Sequence, residues 1–137
     1  MATSPNSIIT AQTPNINFGA TVTTANTAKD GTGTVVTAYT AGANGSKCDQ
    51  INIMPLGTNT ASVMRLFLNN GATNATPANN HYLKDVSLPA TTNSEVASIG
   101  NIPVAIGLTM PAGSKIFVTI GTTVAAGFAV SGTGGDL

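Results

Sequence analysis

Short runs of alternating apolar residues, separated by glycine, asparagine and proline, are the feature that most constrains the fold of this chain. From Val96 to Met110 the apolar side chains fall on every second position, at Ile102, Val104, Ile106 and Leu108. A period of two is the signature of a β-strand that buries one face. About eight such runs recur at a spacing of roughly 8 to 15 residues, and none keeps a helical period over three turns. The sequence therefore predicts an all-β fold.

Pattern and length together predict a single-domain β-sandwich of the jelly-roll or Greek-key type. The chain has 137 residues, enough for one domain with one core. An immunoglobulin-like sandwich is the alternative, but Cys48 is the only cysteine and tryptophan is absent, so the Cys/Trp/Cys core of those domains cannot form. Residues 1–15 carry Pro5 and Pro14 and are predicted to be a flexible or extended N-terminal arm. Residues 16–137 are predicted to be the sandwich.

The alternation also predicts which side chains face the core. In the run from Asn17 to Thr24 it places on one face Phe18, Ala20 and Val22. In the run from Lys47 to Leu56 it places Ile51 and Ile53 on one face and Cys48 on the other. The run from Ser62 to Asn69 is apolar on both faces, which is typical of a central strand.

Charged residues make up only 7% of the chain, and five basic residues balance five acidic ones. Without a basic surplus there is no electrostatic footprint for nucleic acid or for an anionic membrane. Thr, Ala, Gly and Asn dominate the rest of the composition. Copies of a neutral protein repel each other little, so we expect this chain to associate with itself or with a larger assembly.

The first residues, Met-Ala-Thr-Ser-Pro-Asn-Ser, show neither a basic segment nor an apolar segment, so we expect no secretory signal and synthesis in a cytoplasm. No window approaches 18 uninterrupted apolar residues, so no membrane span is expected. The single cysteine excludes an internal disulfide and a cysteine-based metal cluster.

Few residues are suited to catalysis. Cys48 and the single histidine, His81, are the types that form a nucleophile and its base, oriented by Asp49 or Asp85. No activating motif surrounds them, so we interpret His81 as a surface residue and Cys48 as a small strand residue. Gly31-Thr32-Gly33 lacks the third glycine of a dinucleotide fingerprint and is interpreted as a turn.

The carboxylates and the aromatic residues also give no sign of a catalytic or ligand-binding site. No two of the five carboxylates lie within four residues of each other; they are Asp30, Asp49, Asp85, Glu95 and Asp136. This spacing indicates neither a glycosidase pair nor a calcium loop. The aromatic residues are expected in the core, except that Tyr82 follows the polar loop 69–80 and stays open as a ligand contact. We therefore expect no catalytic, cofactor-binding or metal-binding residues, and no enzyme.

Three blocks carry a resemblance to a known group of proteins. They are the segment from Val22 to Gly33 (VTTANTAKDGTG), the block Phe67-Leu68-Asn69-Asn70-Gly71, and the ending from Met110-Pro111-Ala112-Gly113-Ser114 to Gly134-Gly135-Asp136. Together they resemble small proteins encoded by tailed bacteriophages and, more loosely, the β-sandwich decoration (cement) proteins of phage capsids.

The resemblance implies a structural protein of the virion. Such a subunit binds the outer surface of the major capsid protein lattice and stabilises the shell, commonly as a homotrimer, and needs no cofactor. The alternative is a receptor-binding or carbohydrate-binding module of a tail, fibre or head fibre. The absence of tryptophan and the shortage of aromatic residues outside the predicted strands favour the decoration subunit.

Overall fold

The computed structural model describes residues 12–137, which form an all-β sandwich, as the sequence predicts. The strands are β1 (Thr13–Val22), β2 (Val36–Thr40), β3 (Ser46–Pro55), β4 (Thr58–Asn59), β5 (Ser62–Asn69), β6 (Asn80–Leu88), β7 (Thr91–Thr92), β8 (Ile102–Met110), β9 (Lys115–Ile120) and β10 (Phe128–Asp136). One helical turn, Pro77–Asn79, precedes β6. Residues 1–11 of the predicted arm lie outside the described residues, whereas residues 13–15 are the first residues of β1.

Eight of these strands form two four-stranded antiparallel sheets. Sheet A has the order β1-β10-β3-β8 and sheet B the order β2-β9-β5-β6, while β4 and β7 pair separately. Only the β5–β6 hairpin keeps consecutive long strands in one sheet; every other connection between the eight passes from one sheet to the other. The core therefore lies between two sheets built from strands distant in sequence.

The inner faces of both sheets supply the core. From sheet A they include Ile51 and Ile53 of β3, and from sheet B they include Ile116 and Val118 of β9; all four are fully buried. β-Branched side chains suit this position because they pack well on a pleated surface. Burying each of these side chains contributes about 1.5–3 kcal/mol relative to leaving it in water.

Two β-bulges change the faces that simple alternation predicts. In β3 the register against β10 shifts between Cys48 and Gln50, so the extra residue, Asp49, stays outside and Cys48 turns into the core. In β1 the register shifts between Asn17 and Ala20, and Gly19 there has a φ of 121°. The predictions that Cys48 lies opposite Ile51 and that Phe18 shares a face with Ala20 are both wrong, because one extra residue inverts the alternation.

The loop from residue 23 to residue 35 covers the outer face of sheet B. At one end the Asn26 backbone N donates to the Ile120 carbonyl at 2.8 Å, and at the other the Asn80 Nδ2 donates to the Asp30 carbonyl at 3.0 Å. Phe67 of β5 and Phe117 and Thr119 of β9 alternate with core residues, so their side chains point outwards. All three are nevertheless buried, beneath the loop 23–35. The outer face of sheet B is therefore covered over β5 and β9, whereas β6 stays exposed.

Candidate protein-binding face

Cys48 and His81, the two residues that a thiol active site would need, lie in different sheets. Cys48 is fully buried in β3 of sheet A, whereas His81 is exposed at the start of β6 in sheet B, opposite Leu68. Burial, with a smaller contribution from the charge of Asp49, raises the pKa of the Cys48 thiol to about 12. The thiol therefore keeps its proton at neutral pH, the opposite of an activated nucleophile.

The carboxylates occupy separate structural positions. The Asp30 Oδ1 accepts hydrogen bonds from the Thr32 hydroxyl at 2.6 Å and the Thr32 backbone N at 3.1 Å, which lowers the pKa of this exposed carboxyl. The Asp136 Oδ1 accepts from the Asn15 Nδ2 at 2.7 Å and from the Ser46 hydroxyl, joining β10 to β1 and β3. Asp85 lies opposite Arg65 in the β5–β6 pair. Within residues 12–137 no three His, Cys, Asp or Glu side chains form a group that could hold a metal ion.

The polar loop 69–80 is held by its own amides. The Asn69 Nδ2 donates to the Asn80 Oδ1 at 2.8 Å, and the Asn70 Nδ2 donates to the Asn79 Oδ1 at 3.1 Å. Beside these amides is a cleft of about 310 Å³, lined by Leu68, Asn79, His81, Pro111 and Ser114 among others. Tyr82 lies next to this loop and packs its ring against Phe67, with the centroids 4.9 Å apart.

Three large apolar side chains on the strands of sheet A are exposed, Ile16, Phe18 and Met54, whereas on the described strands of sheet B Tyr82 alone is, at 36%. On β1, Phe18 is 92% exposed, and Ile16 points the same way because its neighbours Asn15 and Asn17 point towards β2. On β3, Met54 faces outwards in a row with Ala129 of β10. The expectation that the aromatic residues are in the core is therefore wrong for Phe18.

A loop beside the end of β3 adds to this apolar surface. The Asn93 Nδ2 donates to the Pro55 carbonyl at 3.1 Å, and the Asn93 Oδ1 accepts from the Ile99 backbone N at 3.0 Å. These bonds hold the loop 93–101 next to Pro55. We call the exposed apolar side chains of the loop and the β3 end the apolar rim: Met54, Leu56, Val96 and Ile99. Val96 is 95% exposed at the tip.

The prediction from sequence is wrong for the part of this rim that lies in the loop 93–101. The alternation predicted a strand from residue 96, but β8 begins at Ile102. The residues before it form a turn in which the Ser94 backbone N donates to the Ala97 carbonyl at 2.7 Å. Gly100, with a φ of 76°, and the hydrogen-bonding side chain of Asn93 are the signals in the sequence that favour a loop here.

Charged side chains are few on the strands of sheet A. Of the ten charged residues in the chain, these strands carry three, Lys47, Asp49 and Asp136, and all three lie at the end where β3 begins. At the opposite end the loop 93–101 adds Glu95. Between the two ends the exposed and half-buried side chains of β1, β3, β8 and β10 are apolar or neutral, including the half-buried amides of Gln50 and Asn52.

The fold and this face define a β-sandwich protein in which a loop covers the centre of one sheet and the other sheet presents a largely uncharged surface. Comparison with protein-family models, with curated proteins and with solved structures finds no match to the chain. The one helical segment in the part of the chain that the structure describes, Pro77–Asn79, is too short to cross a membrane.

Proposed function

We propose that this chain is a structural protein of a bacteriophage virion, a capsid decoration subunit that binds the outer surface of the major capsid protein lattice and stabilises it. Its outer face of sheet A, with the apolar rim, is the surface that contacts the capsid. Its activity is adhesion to protein, with no catalytic step and no cofactor.

The observation that carries this proposal is the difference between the two sheets. Loop 23–35 buries outward-pointing aromatic residues on sheet B, whereas on sheet A the most exposed aromatic residue, Phe18, has no covering segment among the described residues. Exposed apolar side chains that cluster on one face of a protein commonly mark an interaction site. A surface with almost no charge has little to offer nucleic acid or a charged ligand, so the partner that fits it is another neutral, partly apolar protein surface.

The energetics suit repeated attachment to a lattice. Burying one of the exposed side chains, such as Met54 or Phe18, stabilises a contact by about 1.5–3 kcal/mol. Association itself costs several kcal/mol in lost freedom of motion, so one small contact binds weakly. If each subunit or oligomer touches two neighbouring capsid proteins, the second contact forms at a high effective concentration and the total affinity rises.

The strand order supports the jelly-roll type of sandwich as part of the same proposal. Eight strands form two sheets of four, with all connections but one passing between the sheets. Jelly rolls consist of eight strands in two sheets and are common in viral capsid proteins and in lectins. Fold alone does not assign function, so the proposal rests on the outer face of sheet A.

A binding experiment on capsids tests the proposal. Capsids of the phage that encodes the chain are prepared with its gene deleted, and the purified chain is added and sedimented with them. We expect binding to saturate at a fixed ratio to the major capsid protein. The variant Met54→Lys places a charge on the outer face of sheet A and should weaken binding by about tenfold or more, since 1.4 kcal/mol changes an affinity tenfold.

The matched control is Ser87→Lys, which adds the same charge to the exposed surface of β6 in sheet B. We expect this variant to bind as the unmodified chain does. Failure of the unmodified chain to bind, or equal loss of binding in both variants, would contradict the proposal.

The second candidate function is a carbohydrate-binding or receptor-binding module, and the cleft beside loop 69–80 is the observation that favours it. Amide side chains such as Asn79 line this cleft next to the apolar surface of Leu68 and Pro111, and neutral sugars are bound by such combinations of polar and apolar groups. This candidate predicts a few copies per virion at one location and binding to a glycan array. Saturation at a ratio fixed by the capsid lattice would exclude it.

A further inference from the structure

Each sheet of a sandwich has two edge strands, and unpaired backbone groups on such edges can pair with another protein. At one side of this sandwich the edges are β1 of sheet A and β2 of sheet B. The Asn15 Nδ2 donates to the Thr40 carbonyl at 2.9 Å, and the Asn17 Nδ2 donates to the Thr37 carbonyl at 3.1 Å. Two carbonyls of β2 are thereby occupied by side chains of β1.

At the other side the edges are β6 and β8, and both carry devices that oppose pairing. Lys84 of β6 lies opposite the buried Leu66, and its Nζ donates to the Ala105 carbonyl of β8 at 2.9 Å. β8 contains Pro103, which has no backbone donor, and Gly107, whose φ of 58° interrupts the extended conformation. Inward-pointing charges and proline are the means by which proteins prevent edge-to-edge association.

β1 shares the proline and the glycine bulge of β8, but among residues 12–137 no side chain donates a hydrogen bond to one of its carbonyls. It is ten residues long and, among residues 12–137, pairs only with β10. No charged residue occurs from Gln12 to Ala28. Pro14 removes one backbone donor and the bulge at Gly19 ends the regular edge, which leaves residues 15–18 as the segment able to pair. Its outward side chains alternate as Pro14, Ile16 and Phe18, all apolar and all exposed.

We propose that two copies of this chain associate through β1, which pairs antiparallel with β1 of a second copy around a two-fold axis and joins the two A sheets into one of eight strands. With the axis at Ile16, this residue faces its own copy, and Phe18 of each chain faces Pro14 of the other. Such cross-strand apolar pairs each add about 0.2–1 kcal/mol to the backbone hydrogen bonds.

Charge argues for a second copy as the occupant of this edge. In a two-fold contact every side chain near the axis meets its own copy, so a charged residue there would meet a like charge. β1 has no charged residue, and the whole chain has a net charge of zero, so two copies can approach without repulsion. A ring of three joined edge to edge needs two different free edges on each subunit, and β2, β6 and β8 are occupied or protected. Pairing at this edge therefore closes as a dimer, whereas the homotrimer that the resemblance implies would need another surface.

This inference concerns the purified chain alone, so it can fail independently of the proposed capsid binding. Sedimentation analysis over a series of concentrations should show a monomer–dimer equilibrium. Ile16→Lys places two like charges at the axis and should raise the dimer Kd by about tenfold or more. Phe18→Lys should act in the same direction, and because Phe18 is 92% exposed, this variant does not disturb the core.

Met54→Lys and Ser87→Lys are the controls, since both add a lysine to the surface away from β1, and they should leave the dimer Kd unchanged. Hydrogen exchange provides a second measurement: the backbone amides of residues 15–18 should become more protected as the concentration rises. A monomer at all concentrations, a trimer, or a dimer that Met54→Lys dissociates while Ile16→Lys does not would each overturn the inference.

Discussion

Cys48 illustrates how a single inserted residue determines the chemistry of its neighbour. Asp49 forms the bulge in β3 opposite β10, and the side chain before it points into the core instead of towards solvent. In the apolar interior the thiolate loses its hydration, so burial raises the pKa of Cys48 to about 12. A residue that alternation places on the surface as a reactive candidate is thereby made inert.

We predict that the Cys48 thiol does not react with a thiol reagent at pH 8 in the folded protein and reacts fully in denaturant. Reaction requires the thiolate, which forms in the native state only as the pH approaches about 12. Because the pKa is raised by folding, the protonated thiol is the form compatible with the native state. Its contribution to stability is fully present below the ordinary pKa of a thiol and is lost as the pH rises towards about 12. Ellman's reagent measures this directly, and rapid stoichiometric labelling without denaturant would contradict it.

At the scale of elements, the strands that sequence alone predicts well are those without a bulge at the decisive position. The alternation in β9 correctly places Ile116, Val118 and Ile120 on one face, because nothing interrupts the pairing of β9 with β5. The alternation in β1 fails at Phe18, where Gly19 adds a residue. A bulge depends on pairing with a distant strand, so a local pattern does not contain it.

The covering of sheet B is the second feature that local pattern does not contain. Phe117 alternates with Ile116 and Val118, so it points away from the core between the sheets, yet it is buried, beneath a loop more than 80 residues earlier in the chain. The same absence of long-range information left the apolar rim unrecognised, because Asn93 and Pro55 meet only in the folded protein. The low charge, and from it the expectation that the chain binds other protein, came from the sequence. Which surface is free to bind, the outer face of sheet A, is visible only in the structure.

The contact between loop 23–35 and β6 yields a prediction with an internal control. Gly31 is buried with a φ of 80°, and a Cβ there would lie 2.7 Å from the Asn80 Cβ. Gly113 has a similar φ of 73° but no atom within 4 Å of the same position. Gly113→Ala should lower the free energy of unfolding by about 1 kcal/mol, from backbone strain alone.

Gly31→Ala should cost about 1–3 kcal/mol more, because the methyl group displaces Asn80 as well. Urea unfolding of both variants measures the difference. Equal losses in the two variants would show that the loop does not pack closely on Asn80.

At the scale of the whole molecule, the sandwich has two unlike surfaces for two kinds of contact. The outer face of sheet A, with Met54 at its apolar rim, is the surface we propose for attachment to capsid protein, and the edge of β1, with Ile16, is the one we propose for a second copy. The two surfaces meet along β1, where Phe18 belongs to both. A dimer would carry two copies of the proposed capsid-binding face, and two linked contacts raise the affinity for a lattice of repeated sites.

The most direct test of the account is a cryo-EM map of the phage particle with this chain located in the density. The account predicts copies of the sandwich at regular positions over the outside of the shell, with sheet A and the loop 93–101 against the major capsid protein and sheet B facing solvent. Density for the chain confined to the tail or a fibre, or sheet B against the capsid, would contradict it.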